Sequence, residues 1–228
     1  DKGLYGIGEA SGWPRVVETA INDLAPLLIG ENPFHIERLW HKMLSSIMGH
    51  GMTGVVGSGA ISGIEMALWD IKGKALDQPV WNLFGGKMRD SIRLYAHANS
   101  PEQARRLVDT GYKAIKTGGT QNALEYTESI REEIGKSVDL MVDVHGPPWL
   151  GTRDAVALGK KLEKYDLLFY EDPVAPEHIE AIARVSSSVN IPIAAGERHS
   201  FIWGVRELIE RELIDVVQPD TGRAGGLM

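Results

Sequence analysis

The rhythm of apolar and polar residues changes near residue 90. Before that point apolar residues recur three or four apart, the spacing that lines one face of an α-helix. The pattern predicts helices over Glu18–Leu28, Pro33–Met48 and Ala60–Lys74, the last with a stripe of Ile61, Ile64, Ala67, Leu68 and Ile71. The run from His50 to Gly59 holds Gly51, Gly54, Gly57 and Gly59 and predicts a mobile loop rather than regular structure.

After residue 90, short apolar strands alternate with amphipathic helices. Strands are predicted at Ile92–Ala96, Ala114–Thr117, Leu140–Val144, Leu167–Tyr170, Ile191–Ala195 and Asp215–Gln218. Helices fall between them at Pro101–Thr110, Asn122–Ile134, Arg153–Tyr165, Pro176–Ser187 and Phe201–Glu212. Alternation at a nearly constant period indicates a parallel α/β architecture.

Two closures fit that alternation. A doubly wound open sheet should carry a glycine-rich phosphate turn after an early strand, and none of the strand exits has one. The exits carry Lys116, Asp143, His145, Glu171, Glu197 and Asp220 instead. Side chains at successive strand ends converge on one mouth in a barrel and spread along an edge in an open sheet, which favours the barrel. The chain therefore divides into a mostly helical part over 1–90 and six barrel units over 91–228. It opens inside a strand-like LYGIGEA and closes on GRAGGLM, a loop entering a helix, so it reads as incomplete at both ends.

Composition narrows the chemistry. The 228 residues include no cysteine, which excludes disulfides, thiolate nucleophiles and iron–sulfur clusters and suits a reducing cytoplasm. Any metal must then be held by oxygen or imidazole ligands. A net charge of −7 with scattered Lys and Arg argues against a nucleic-acid partner. No apolar run is long enough to span a membrane, and the first residues lack a signal-peptide layout, so a soluble intracellular protein is expected.

Three segments share one form, an apolar strand ending in a carboxylate: LMVDVHG with Asp143, LLFYEDP with Glu171 and IPIAAGE with Glu197. Taken singly, such a residue can cap a helix or pair with Arg or Lys. Three at consecutive strand ends need a shared counter-charge, and a hard divalent ion such as Mg²⁺ supplies it. His145 lies two residues after Asp143; if the strand continues that far, both side chains point into the same mouth, where a general acid or base is wanted. Asp220 is open to three readings: a fourth ligand, a helix N-cap, or the partner that orients a histidine on a neighbouring strand.

At this point the residues resemble the enolase superfamily, in its mandelate racemase/muconate lactonizing group. The stretch AISGIEMALWDIKGKALDQPVWNLFGG over 60–86 is similar to the family's helix-and-turn signature, GIGEAS to its amino-terminal strand, and the ordered set VDVHG, YEDP, AAGE and QPDTGRAGG to its site segments. The resemblance implies an α+β capping domain followed by a (β/α)₇β TIM-like barrel. It implies that Asp143, Glu171 and Glu197 hold one Mg²⁺ per active site, and that a base removes the proton alpha to a substrate carboxylate. It also implies a homo-oligomer.

Two departures point to one reaction class within the group. Racemases and lactonizing enzymes carry Lys-x-Lys on the second strand, whereas this chain reads AIKTGG, with Lys116 at the first position and Gly118 at the second. The Asp143-x-His145 arrangement resembles the galactonate-dehydratase-like acid-sugar dehydratases, where this His delivers a proton to the departing 3-hydroxyl. In those enzymes the base is a seventh-strand His paired with the sixth-strand Asp, which Asp220 matches; that His would lie beyond Met228. The expectation is a lyase that converts a sugar acid to a 2-keto-3-deoxy acid. Lys116 is a candidate contact for substrate or enediolate, or else a member of a structural ion pair, and His50, Arg198 and His199 are candidate substrate contacts. The alternatives are a racemase or epimerase on the same scaffold, and a barrel without catalysis that binds or regulates.

Overall fold

The computed structural model describes residues 3–51 and 53–228. The chain forms two compact units: Asp1–Asp90 with Gly196–Glu207 and Pro219–Met228, and Ser91–Ala195 with Leu208–Gln218. Among the described residues no helix is long and apolar enough to cross a membrane.

In the first unit the helices are α1 (Pro14–Leu24), α2 (Ile36–Met48), α3 (Val55–Leu76) and α4 (Val80–Leu83). Val17, Leu24, Met43, Leu44, Ala60 and Ile61 form its main core. Helix α3 overturns one expectation, because it begins at Val55 and includes Gly57 and Gly59 of the expected loop; Met52 of that loop lies outside the described residues. Each glycine inside a helix costs roughly 1 kcal/mol against alanine, and the return here is close backbone approach. The segment Gly6–Ser11 lies directly along α3: a Cβ at Gly6 would overlap the Ala67 carbonyl oxygen, one at Gly8 the Gly63 carbonyl oxygen, and one at Gly59 would press on that of Ser11. The strand-like LYGIGEA therefore makes no ladder among the described residues. Its backbone is tied to α3 through Ile7 N–H to Asp70 Oδ2 at 2.7 Å and Lys74 Nζ to the Tyr5 carbonyl at 3.1 Å.

The second unit holds β1 (Ala96–His97), α5 (Pro101–Asp109), β2 (Ala114–Gly118), α6 (Ala123–Ile134), β3 (Asp139–Asp143), α7 (Thr152–Leu162), β4 (Phe169–Glu171), α8 (Ile179–Ser188), β5 (Ile193–Ala195) and β6 (Val216–Val217). Helix α9 (Phe201–Glu210) precedes β6. The start of α5 follows local chemistry: Ser100 accepts the Gln103 N–H, Pro101 sits where no donor is needed, and Gln103 accepts in return from the Asn99 N–H.

All five strand pairings are parallel and the sheet order is β1-β2-β3-β4-β5-β6. A doubly wound sheet reverses its strand order at a switch point; this one never does, so successive right-handed crossovers place the helices on one face. Period-two alternation then sorts the side chains. Ile115, Leu140, Val142, Tyr170, Ile193 and Ala195 belong to the large core shared with the helices, whereas Ala114, Met141, Phe169 and Ala194, with Val216, form a small apolar layer of their own.

Candidate active site

That small layer is the floor of the site. One pleat repeat toward the C-terminal strand ends, the same face bears Lys116 above Ala114, Asp143 above Met141 and Glu171 above Phe169. Asp143 pairs in register with Gly118 on one side and Glu171 on the other, while Lys116 pairs with Met141, two residues lower. The long lysine side chain makes up the difference: its Nζ lies 2.8 Å from Glu171 Oε2 and 3.2 Å from Asp143 Oδ2, with all three side chains buried. Burial disfavours the charged lysine, but the hydrogen bond and charge of Glu171, with the charge of Asp143, outweigh it and raise its pKa. Lys116 is thus held as a cation at neutral pH by these two carboxylates.

Strand β3 ends at Asp143, so His145 is not a strand residue as its i+2 position suggested. The pairing with Asp143 forms all the same. Asp143 Oδ1 accepts from the His145 N–H at 3.1 Å and lies 2.7 Å from Nδ1. Burial opposes ionisation of Asp143, yet Lys116 and the two His145 contacts hold its pKa below the ordinary carboxylate value. An ionised Asp143 accepts, so Nδ1 carries a proton and Nε2 is the nitrogen left to give or take one. The His145 side chain is 45% exposed, beside a carboxylate that is only 8% exposed.

The chain closes tightly over Asp143. A Cβ at Gly118 would overlap the Asp143 carbonyl oxygen, and Gly119, at φ +100, donates its N–H to that oxygen at 2.9 Å. This backbone leaves no space for a second lysine on β2, which gives a steric reason for the departure from Lys-x-Lys.

Glu197 is not at a strand end in the sense expected. Strand β5 stops at Ala195, Gly196 turns the chain at φ +146, and Glu197 follows in a segment that groups with the first unit. Its carboxylate pairs with Arg198 Nε at 3.0 Å, and its carbonyl accepts from Arg223 at 3.3 Å. His199 N–H bonds the Gly196 carbonyl at 3.0 Å, closing that turn. Asp220, after β6, organises its own loop: Oδ1 accepts the Gly222 N–H at 2.8 Å and Oδ2 lies 3.3 Å from Arg223 Nε. His50 is exposed in the turn after α2, its N–H bonded to the Ile47 carbonyl at 3.1 Å.

Two residues on the same inner face escaped the sequence reading. His97 pairs in register with Lys116, and the Tyr95 ring lies 5.3 Å from the Lys116 ammonium. Ala96 pairs with Ile115 of the large core, so alternation alone puts Tyr95 and His97 on the opposite, site-facing side. The signal was present in LYAHA but weak, because β1 is only two residues long.

Oxygen donors suit a hard dication, and the residues of β3 and β4 fit one in chemistry: two buried carboxylates carry two formal negative charges against the single charge of Lys116. They are a pair rather than a finished cage, for among the described residues no group of three or more His, Asp or Glu side chains is gathered to hold an ion.

Parallel strands in sequential order, with acidic and basic side chains collected at their C-terminal ends, define a (β/α)-barrel protein. Residues 1–85 match the mandelate racemase/muconate lactonizing enzyme N-terminal domain and residues 99–228 the enolase C-terminal domain-like family. The chain belongs to the enolase superfamily. It is 35% identical over its whole length to a D-galactonate dehydratase family member from Enterococcus gallinarum and to a D-galactonate dehydratase from Cronobacter sakazakii. It spans 64% of the length of those curated relatives. The crystal structure of the 3,6-anhydro-D-galactonate cycloisomerase from Zobellia galactanivorans is similar at a TM-score of 0.93 and 35% identity, covering 100% of this chain and 66% of that one. An enolase-superfamily member from Salmonella Typhimurium is similar at 0.91 and 31% identity, covering 100% of this chain and 69% of that one.

Proposed function

We propose that the protein is a Mg²⁺-dependent dehydratase of a sugar acid, an aldonate or aldarate. The observation that carries this reading is the Asp143–His145 pair at 2.7 Å, set beside a Gly118 that admits no second lysine. A racemase of this scaffold needs a base on each face of the substrate carbon, and β2 supplies none.

In this reading Asp143 and Glu171, with Glu197, hold the ion. Bound Mg²⁺ supplies positive charge that offsets the second negative charge developing on the substrate carboxylate as its alpha proton leaves. Lys116 keeps the two buried ligands ionised and presents fixed positive charge at the floor of the site. Asp220 orients the base that removes the C2 proton. His145, with its Nδ1 proton held by Asp143, gives a proton from Nε2 to the departing 3-hydroxyl, so that it leaves as water. The enol that remains tautomerises to a 2-keto-3-deoxy acid. His50, Arg198 and His199 contact the substrate, and the protein works as a cytoplasmic homo-oligomer.

The test is turnover of a sugar-acid library in deuterated water with Mg²⁺. The names of its relatives put D-galactonate and 3,6-anhydro-D-galactonate in that library. Keto-acid formation is expected, together with Mg²⁺ binding weakened by Glu197→Gln. Deuterium at C2 of recovered substrate without keto product overturns dehydration in favour of epimerisation. No Mg²⁺ uptake and no turnover favours a non-catalytic barrel.

A further inference from the structure

Glu65 on α3 is fully buried. A carboxylate is kept out of water only where hydrogen bonds replace its hydration, and Glu65 has three. Oε1 accepts from Trp69 Nε1 at 2.8 Å and from the Met228 N–H at 3.1 Å, and Oε2 accepts from the Leu227 N–H at 2.8 Å. Two of these donors are main-chain groups of the segment that follows Asp220.

The neighbouring contacts serve the same segment. Ser62, three residues earlier and so on the same face of α3, accepts the Gly225 N–H at 2.9 Å, while Trp40 Nε1 donates to the Gly225 carbonyl at 2.7 Å. A Cβ at Gly226 would run into the Glu65 carboxylate, and one at Gly225 would lie 2.7 Å from the Phe201 ring. The path continues to the proposed site residues. Ala224 N–H bonds the Asp220 carbonyl at 2.7 Å, Phe201 N–H bonds the Ala224 carbonyl at 3.0 Å, and Arg223 reaches the Glu197 carbonyl. Phe201 is buried at φ +59, an unfavourable conformation for a residue with a side chain that persists only where surrounding contacts enforce it.

We propose that Glu65 is a positioning residue for the active site. Its carboxylate clamps the main chain of Leu227 and Met228, and through that segment sets the Asp220 turn and the backbone that carries Glu197. It touches neither substrate nor ion. The link to ligand binding rests on the reading of Glu197 as a metal ligand; the clamp itself does not.

The test compares the full chain with Glu65→Gln, which preserves shape but turns an amide N–H₂ toward a backbone N–H. Hydrogen exchange without metal reads the clamp, and titration with Mg²⁺ reads its consequence. Amides of residues 220–228 should exchange about 10-fold faster or more in the variant, with those of β3 and β4 unchanged. Mg²⁺ affinity should fall about 10- to 100-fold, as when a partner that orients a ligand is lost. Ser62→Ala, which removes the Gly225 bond together with the hydroxyl's own bond to the Ser58 carbonyl within α3, should show the same pattern at smaller size and serves if Glu65→Gln does not fold. Unchanged exchange at 220–228, or faster exchange with unaltered Mg²⁺ affinity, overturns the proposal. If the wild type takes up no Mg²⁺, the metal reading fails, and exchange at 220–228 alone decides whether Glu65 holds the segment.

Discussion

Replacing Lys116 with Met probes the charge balance at the strand ends. Met keeps the apolar length of the lysine stem and removes the ammonium, which lies 2.8 Å from Glu171 and 3.2 Å from Asp143. These carboxylates are 2% and 8% exposed, so water cannot replace the lost partner. Removing one member of a buried ion pair costs about 3–5 kcal/mol, equivalent to a fall of roughly 6–20 °C in melting temperature for a chain of this size. The pH dependence is the sharper signature. In the wild type the pKa of Asp143 is lowered, so its contribution is present above the unfolded carboxylate value and fades as pH falls through the lower folded value. The Lys116 pKa is raised, so its contribution is complete below the unfolded lysine value and is lost only as pH climbs through the folded one. In the variant the Lys116 charge no longer opposes burial, so the Asp143 pKa rises and the stability it contributes above about pH 4 shrinks. The difference between the two proteins should therefore be small near pH 3 and reach full size by about pH 7. Thermal melts followed by circular dichroism without metal measure it. A difference below about 1 kcal/mol at pH 7, or one that does not change between pH 3 and 7, refutes the charge-balance account.

His145→Asn should slow dehydration by about 10²- to 10⁴-fold with little change in melting temperature, since the side chain is 45% exposed; steady-state turnover beside a melt decides it, and near-wild-type turnover removes His145 from the acid role. Gly118→Ala forces a methyl group onto the Asp143 carbonyl and should destabilise by about 2 kcal/mol, or roughly 4–8 °C; an unaltered melt would show that β2 and β3 separate freely. Arg131 donates to the carbonyls of Gly135, Val138, Tyr165 and Asp166 at 2.6 to 3.1 Å, so Arg131→Ala should lower stability by about 3 kcal/mol in urea titration. Arg131→Lys should restore only part of that, because an ammonium cannot span all four acceptors.

The barrel units were legible because their pattern is local. Ala114, Met141 and Phe169 alternate with Ile115, Leu140 and Tyr170, and a period of two follows from the pleat alone. The carboxylates of Asp143 and Glu171 could be read for the same reason, since each ends an apolar run in phase with its strand. Glu197 was grouped with them on sequence form, but Gly196 breaks the strand first and the phase is lost.

Long-range contacts decided the rest. Gly57 and Gly59 look like loop residues because their cost in a helix is paid locally, whereas the gain at Gly59 comes from Ser11, far away in the chain. Glu65 reads as one more polar position on an amphipathic helix, yet two of its three partners stand 162 and 163 residues further on. That Lys116 pairs with two carboxylates depends on the register of β2 against β3 and of β3 against β4. Periodicity states which face a residue occupies; what meets it on that face is set by distant segments, whose approach is encoded in no single stretch of sequence.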